Sequence, residues 1–241
     1  MNKITLNTFI QKYNLGGQVN SVTWNSDGEK LSTRFMSPDK NLLGTLTLGK
    51  QNLDNFKVGV YDTPMLSKML TTLADSIDFT LIKSPSDNET PIAIHLSDSH
   101  ISADYVLAAL GVIPDVPESI KEPEYDTLIN VDNQFINSFI RGKSALSDVT
   151  TFVVKPTDGG VEFVIGHSDS NSNRISIKVQ SGAVSIVEPI TFNANLFKEL
   201  LNANKECSHA TLRISNKGLA YIEFNVDDFN VKYWLVAQQG S

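Results

Sequence analysis

Most of the chain alternates short apolar runs with turn-forming residues, a pattern that is typical of β-strands. The runs are rich in valine, leucine, isoleucine, threonine and aromatic residues, and turn signals such as Asn25-Ser26-Asp27-Gly28 separate them. Their spacing of about 8–12 residues favours extended antiparallel sheets. We predict strands at 19–24, 31–36, 42–48, 56–60, 77–82, 92–96, 101–107, 151–155, 161–165, 175–179, 184–187, 210–214, 219–224 and 229–236.

Four other segments repeat their apolar residues with the period of an α-helix, at i, i+3, i+4 and i+7. Asp62, Asp132 and either Asn193 or Asn195 are expected to cap three of these helices, because their side chains can accept hydrogen bonds from the first turn. The four apolar stripes are Leu6, Phe9, Ile10 and Tyr13; Met65, Leu66, Met69, Leu70 and Leu73; Phe135, Ile136, Phe139 and Ile140; and Leu196, Phe197, Leu200 and Leu201.

The two halves of the chain repeat one order of elements: a helix, about four strands, a second helix and about three strands. Segment 61–70 can be laid over 192–201 without a gap, and Phe9-Ile10 over Phe135-Ile136. The pattern, rather than residue identity, therefore predicts a duplicated α+β domain. We predict an N-terminal domain at 1–110, a connecting linker at 111–126 and a C-terminal domain at 127–241.

The linker contains three prolines and several acidic residues. It also contains apolar residues, which allow two interpretations. They either pin the linker to a sheet or help to wall a groove for a partner peptide. The residues concerned are Val112, Ile113, Val116 and Ile120.

Composition narrows the class of protein. The chain has 241 residues, of which 41% are hydrophobic, so one large domain or two of ordinary size can form a core. The longest apolar run, at 106–113, is far shorter than the roughly 20 residues of a membrane span. The polar N-terminus does not resemble a signal peptide, and the single cysteine excludes an internal disulfide. We expect a soluble protein of a reducing compartment.

No group of residues has the spacing of a catalytic site. None of the four histidines is spaced like a metal ligand, and no nucleotide-binding or nucleophile motif occurs. Segment 169–180 begins like a calcium-binding loop, but Arg174 stands where that loop needs glycine and Gln180 where it needs glutamate. We therefore predict a protein that is not an enzyme and that binds no metal or other cofactor.

Charge is distributed unevenly along the chain, which carries 20 basic and 27 acidic residues for a net charge of −7. The helical windows 3–14, 62–74, 131–146 and 193–205 hold seven basic and three acidic residues, a net +4 that leaves −11 elsewhere. Lysines are ordinary residues on the solvent face of an amphipathic helix. The alternative is that four basic helices in a duplicated domain together form a surface for a polyanion.

The sequence resembles the sliding clamps, the processivity factors of DNA polymerases, and is most similar to those of tailed bacteriophages. The resemblance covers essentially the whole chain and rests on the duplication together with the order of three segments. These segments are Val60-Tyr61-Asp62 before the second helix, Phe139-Ile140-Arg141-Gly142-Lys143 in the third, and the terminal strand Val231-Lys232-Tyr233-Trp234-Leu235-Val236-Ala237.

The resemblance implies a ring of three chains with pseudo-sixfold symmetry, in which the sheets form the outer wall and two helices of each domain line the hole. Duplex DNA would thread the hole without base readout, and the replicative polymerase and a separate ATPase clamp loader would bind the ring. The protein would then act in DNA replication in the cytoplasm of an infected bacterium. The basic residues expected to face the DNA are Lys12, Lys68, Arg141, Lys143 and Lys198.

The resemblance also implies two further sites. Ring closure would pair 102–107 with 174–179 of the next chain, through Ser102, Tyr105, Leu107, Arg174, Ile175 and Ile177. A partner peptide would dock beside the linker and the C-terminus, at Ile113, Val116, Trp234, Val236 and Ala237. The alternative function is that of a β-rich, homo-oligomeric structural protein of a virion, which would not require basic helices in a duplicated register.

Overall fold

The computed structural model describes residues 2–167, 172–181, 186 and 188–238. The chain divides into two compact units, each of which is a mixed α+β structure. Unit 1 comprises Met1–Phe35 and Thr45–Val116, and unit 2 comprises Met36–Gly44 and Pro117–Ser241. No helix among the described residues is both long and apolar enough to cross a membrane.

Four α-helices and fifteen strands occur in the described parts of the chain. The helices are α1 (Lys3–Asn14), α2 (Thr63–Thr71), α3 (Asn133–Ala145) and α4 (Ala194–Asn202). The strands are β1 (Val22–Asp27), β2 (Leu31–Met36), β3 (Leu42–Leu48), β4 (Asn55–Val60), β5 (Asp78–Lys83), β6 (Pro91–Ser97), β7 (Ser102–Val106), β8 (Thr127–Asp132), β9 (Thr151–Thr157), β10 (Gly160–Ile165), β11 (Ile175–Gln180), β12 (Ile190–Asn193), β13 (His209–Ser215), β14 (Leu219–Val226) and β15 (Phe229–Val236).

Each helix begins after a residue whose side chain accepts a backbone hydrogen bond in the first turn. These N-caps are Asn2, Asp62, Asp132 and Asn193, which decides between the two candidates for α4.

The caps also align the two halves of the chain, because superposing the cap of α1 on that of α3 places Phe9 on Phe139. This match lies one helical turn along from the superposition predicted from the sequence, and it keeps the same apolar stripe.

The strands of each unit form antiparallel sheets. In unit 1, β1 pairs with β2 and β4, and β6 pairs with β5 and β7. In unit 2, β11, β10, β9 and β12 form one sheet, and β15, β14, β13 and β8 are neighbours in that order in another. Consequently, among the strands that the structure describes, β7 and β11 each lie at the edge of a sheet.

The two units differ in the segment that precedes their first helix. Strand β8, which was not predicted, precedes α3 and pairs along its length with β13. In unit 1 a single bridge between Asn2 and Ser76 occupies the corresponding position. Strand β12 was also not predicted, and the strand predicted at 184–187 lies outside the described residues apart from Ile186.

Most residues of the predicted apolar stripes are packed against the sheets of their own unit, whereas Met65 of α2 is exposed. In unit 1, Phe9 lies edge-on to Trp24 of β1, with ring centroids 5.6 Å apart. In unit 2, Phe139 of α3 and Phe197 of α4 have ring centroids 4.8 Å apart, and Phe139 lies 5.0 Å from Phe152 of β9. Edge-to-face aromatic pairs of this kind fix the helices on the sheet, which leaves their opposite faces to solvent.

Candidate nucleic-acid interface and neighbouring surfaces

The solvent faces of the helices carry almost no negative charge. Within the bounds of the four helices Glu199 is the one acidic residue, and it is only partly exposed. Amides, hydroxyls and two cations make up the rest of the polar surface. The exposed polar residues of the helices are Gln11, Lys68, Thr71, Asn133, Gln134, Asn137, Arg141, Ser144 and Asn202.

The five residues that were predicted to face phosphates lie in different environments. Lys68 of α2 and Arg141 of α3 are exposed, so their charges are available to a polyanion. Lys198 of α4 is half-buried, and its Nζ lies 3.9 Å from Oε1 of Glu199. This neighbouring carboxylate reduces its attraction to a phosphate.

The prediction for Lys12 and Lys143 is wrong, because both side chains are inside the protein: 0% of Lys12 and 3% of Lys143 is exposed. The Nζ of Lys143 donates hydrogen bonds to the carbonyl oxygens of Ser147, at 2.8 Å, and Leu146, at 3.4 Å. It therefore holds the C-terminal end of α3. Burial and the nearby charge of Lys198 lower the pKa of Lys143, although Asp148 opposes this.

Sequence reasoning missed the uncharged part of this surface. Gln11, Gln134 and Asn137 can each donate a side-chain hydrogen bond to a phosphate oxygen without adding a full charge. Their signal in the sequence is that the helical windows are rich in asparagine, glutamine, serine and threonine and poor in acids. A count of charged residues alone does not reveal this pattern.

The two strands predicted to close a ring are both edge strands. On β7, Ser102 is exposed and Tyr105 is buried, with its hydroxyl accepting a hydrogen bond from the Asp62 backbone at 2.8 Å; Leu107 follows the strand and is half-buried. On β11, Ile175 and Ile177 are half-buried, and exposed Arg174 directly precedes the strand. An edge strand leaves backbone donors and acceptors that can pair with another chain.

An apolar groove of about 600 Å³ lies in unit 1 between α2 and β7. Its walls include four exposed apolar side chains, and the most exposed, Val106, has 75% of its surface accessible. The groove was not predicted from the sequence, because the spacing of Met65 places it on the apolar stripe of α2. The four residues are Tyr61, Met65, Val106 and Val112.

The predicted partner-peptide residues of unit 2 do not form one open pocket. Trp234 is 9% exposed and packs against Tyr221, with ring centroids 5.2 Å apart. Its Nε1 donates to Oε1 of Glu122 at 3.1 Å, and Tyr125 donates to Oε2 of the same carboxylate at 2.9 Å. The expectation that Trp234 lines a free pocket is therefore wrong, because Glu122 of the linker occupies its polar edge.

Val236 and Ala237 remain accessible. Val236 is 44% exposed, and Ala237 lines a groove of about 540 Å³ together with Ile190, Lys217 and Gln238. The backbone of Gln238 donates to the Thr191 carbonyl at 2.8 Å, which joins the segment after β15 to β12.

The linker residues Ile113 and Val116 belong to unit 1. Ile113 is 7% exposed and Val116 is half-buried. A side chain on Gly59 would come within 2.7 Å of the Ala108 carbonyl and 3.0 Å of Ile113, so glycine lets this segment lie close to β4. For Ile113, the interpretation that an apolar residue pins the linker is the one that fits its burial.

Of the comparisons with known proteins, the comparison with solved structures gives a match. No family model and no curated protein sequence matches the chain. The structure is similar to the crystal structure of proliferating cellular nuclear antigen from Entamoeba histolytica, with a TM-score of 0.74 and 13% sequence identity. The match covers 99% of this chain and 97% of the other.

The chain has the sliding-clamp fold. This confirms the predicted α+β class, the antiparallel sheets and the likeness in layout to clamps. At this identity the match shows the architecture alone.

Proposed function

We propose that the protein is a sliding clamp, a closed ring of identical chains that encircles duplex DNA and tethers a replicative polymerase to it. The observation that carries the proposal is the clamp fold, which extends over nearly the whole chain. A β-rich structural protein of a virion, the alternative from the sequence, gives no reason for this fold or for helix faces without exposed acids. The chain itself is proposed to be a scaffold rather than an enzyme.

Weak attraction to DNA is what such a scaffold requires. Exposed Lys68 and Arg141 supply a few phosphate contacts, and amides such as Gln134 and Asn137 add uncharged hydrogen-bond donors. Contacts to phosphate are independent of sequence, and a small number of them allows the protein to move along the duplex. The acidic remainder of the chain discourages DNA from binding elsewhere.

Ring closure is proposed to occur by pairing of β7 with β11 of the next chain, through the six residues predicted from the sequence. The apolar groove beside β7 supports this, since an exposed apolar surface next to an unpaired strand is typical of a surface that another chain covers. Three chains would complete the ring. A clamp loader with its own ATPase would open it, because no nucleotide-binding motif occurs in this chain.

The polymerase and the loader are proposed to dock beside the C-terminal strand of unit 2, at Val236, Ala237 and the adjoining groove. Val116, half-buried at the end of unit 1, stays a predicted partner-binding residue. The proposed setting is the cytoplasm of a bacterium infected by a tailed phage, for which the sequence resemblance is the support.

The test is topological. The purified chains are mixed with nicked circular DNA at a dilution at which the ring is dissociated and are then concentrated, so that rings close around the DNA without a loader. The complex is separated from free protein at moderate salt and treated with a restriction enzyme that cuts once. We expect retention on the circle and loss after cutting, and blocking both ends of the linear DNA should restore retention. Retention that does not change on cutting would indicate an ordinary DNA-binding protein, and no retention on the circle would contradict the proposal.

A further inference from the structure

The two edge strands each carry one charged residue, at the centre of their exposed face. On β7 the exposed side chains are Ser102, Asp104 and Val106. On β11 they are Ser176, Lys178 and Gln180. Both strands lie wholly within the described residues, so Asp104 and Lys178 are the only charges that either strand presents.

Within its own sheet, the acidic residue already lies opposite a basic one, and the basic residue lies opposite an acidic one. Asp104 lies opposite His95 on β6, and its Oδ1 is 2.5 Å from Nδ1 of the imidazole. Lys178 lies opposite Glu162 on β10, and Glu162 in turn lies opposite Lys155 on β9. Polar groups therefore follow one line across each sheet, and each line ends at the edge strand.

We propose that β7 of one chain pairs antiparallel with β11 of a second copy in the register that sets Asp104 opposite Lys178. This inference rests on the proposed function, since it specifies how the ring closes. The pairing joins the two lines into one row across the joint between chains, in which basic and acidic residues alternate: His95, Asp104, Lys178, Glu162 and Lys155. Opposite charges directly across a strand pair stabilise it, and like charges destabilise it.

The same register matches the other face of both strands. With Asp104 opposite Lys178, Tyr105 lies opposite Ile177, and Ala103 lies opposite Val179. Leu107, just past β7, lies opposite Ile175. A slip of one residue would turn the apolar set of one strand to the polar face of the other. A slip of two residues would keep the faces but leave Asp104 opposite Ser176 or Gln180, so the charge pair selects one register.

Antiparallel pairing is favoured over parallel pairing for two reasons. Every strand pair described within the two units is antiparallel. Antiparallel pairs also outnumber parallel pairs in proteins about two- to three-fold. The two orientations differ in the neighbours of the charge pair, because Val106 meets Ser176 in the antiparallel case and Gln180 in the parallel case.

The test is a charge exchange, followed by sedimentation across a concentration series. Asp104→Lys and Lys178→Asp should each weaken association between chains on the order of tenfold, since each replaces an attraction by a repulsion. The double variant Asp104→Lys/Lys178→Asp restores an opposite pair at every joint, although it also sets two carboxylates opposite each other at positions 162 and 178 of the same sheet. It should therefore recover much of the association that either single variant loses. Matched controls are Asp78→Lys and Lys83→Asp on β5, the other edge of the same sheet, which should have little effect.

Two further arms sharpen the result. His95→Gln removes the imidazole next to Asp104 but leaves the Asp104 carboxylate in place. Unchanged association in this variant would show that the charge reversals act on the joint between chains and not on the contact with His95. An equal mixture of the two single variants forms complementary joints only between unlike chains. A three-membered ring of two chain types always contains one joint between like chains, so this mixture should not rescue a closed trimer.

Cross-linking tests the register directly. The variant Val106→Cys/Ser176→Cys should give covalently joined chains on oxidation, and Val106→Cys/Gln180→Cys should not; the native Cys207 is buried. Cross-linking only in the second variant would overturn the proposed orientation. A ring that is indifferent to both charge reversals would overturn the charge pair alone, whereas a wild-type chain that stays monomeric would overturn the ring as well.

Discussion

Arg141 and Lys143 are both basic residues of α3, two positions apart, and the structure gives them opposite roles. Successive positions on a helix are rotated by about 100°, so two residues apart places them on nearly opposite sides. Arg141 extends into solvent, whereas Lys143 is enclosed and donates to the carbonyls of Leu146 and Ser147. Charge alone could not separate the two in the sequence, because a long side chain can bury its stem and satisfy its ammonium on backbone oxygens.

These roles predict that the two residues affect different measurements. Arg141→Gln should lower the slope of log affinity for DNA against log salt by about 1 and leave the free energy of unfolding nearly unchanged. Lys143→Met removes two hydrogen bonds from a buried ammonium and should lower the free energy of unfolding by about 1–3 kcal/mol, with no change in the salt slope. Denaturant titration and salt-dependent DNA binding check this, and equal salt slopes for both variants would contradict the assignment.

At the scale of elements, the sequence supports prediction best where periodicity is strong. The four helices and the strands β2, β3 and β15 lie where their patterns place them. Strand β12 is only four residues long, which is too short to show alternation. Strand β8 lies between the predicted linker and α3, and its last residue, Asp132, was predicted only as the cap of that helix. The predicted pocket at Trp234 failed because the contact of its indole with Glu122 spans 112 residues, a separation that no local pattern reports.

The carboxyl of Glu223 on β14 contacts side chains of the neighbouring strands, and these contacts make stability depend on pH. Burial acts to raise the pKa of this carboxyl, but hydrogen bonds from Asn230 and Tyr221 and the charges of Lys232 and Arg213 outweigh it, so the pKa is lowered. A lowered carboxyl pKa contributes stability that is fully present above the ordinary value of 4.5 and is lost as the pH falls through the folded value. The contribution is small because the group is partly exposed.

Glu223→Gln should therefore lower the free energy of unfolding at pH 7 by at most about 1 kcal/mol, and the difference from the wild type should shrink as the solution is made acidic. Lys232→Met keeps both hydrogen bonds to Glu223 and should reduce the pH dependence by less. Urea titrations at a series of pH values check both. A difference that grows at low pH would show that the carboxylate is not stabilised in the folded chain.

At the scale of the whole molecule, geometry sets how many chains the proposed ring needs. Helices pack about 9 Å apart, so four around one hole give a diameter of about 11 Å, and twelve give about 34 Å. Subtracting a helix radius of about 5 Å on each side leaves an opening of about 24 Å for twelve. A duplex with grooves about 8 Å deep on either side is about 20 Å across. One chain therefore cannot surround DNA, and three can.

The purified protein should accordingly sediment with a mass of three 26.5 kDa chains at high concentration and dissociate on dilution. Added salt should weaken DNA retention more than it weakens the ring, because phosphate contacts are lost with salt whereas the apolar residues of the proposed joint are not. A mass series from sedimentation or light scattering, measured at two salt concentrations, separates the two effects. A stable monomer at high concentration would leave four helices around any opening, too few to admit a duplex, and the clamp proposal would have to be abandoned.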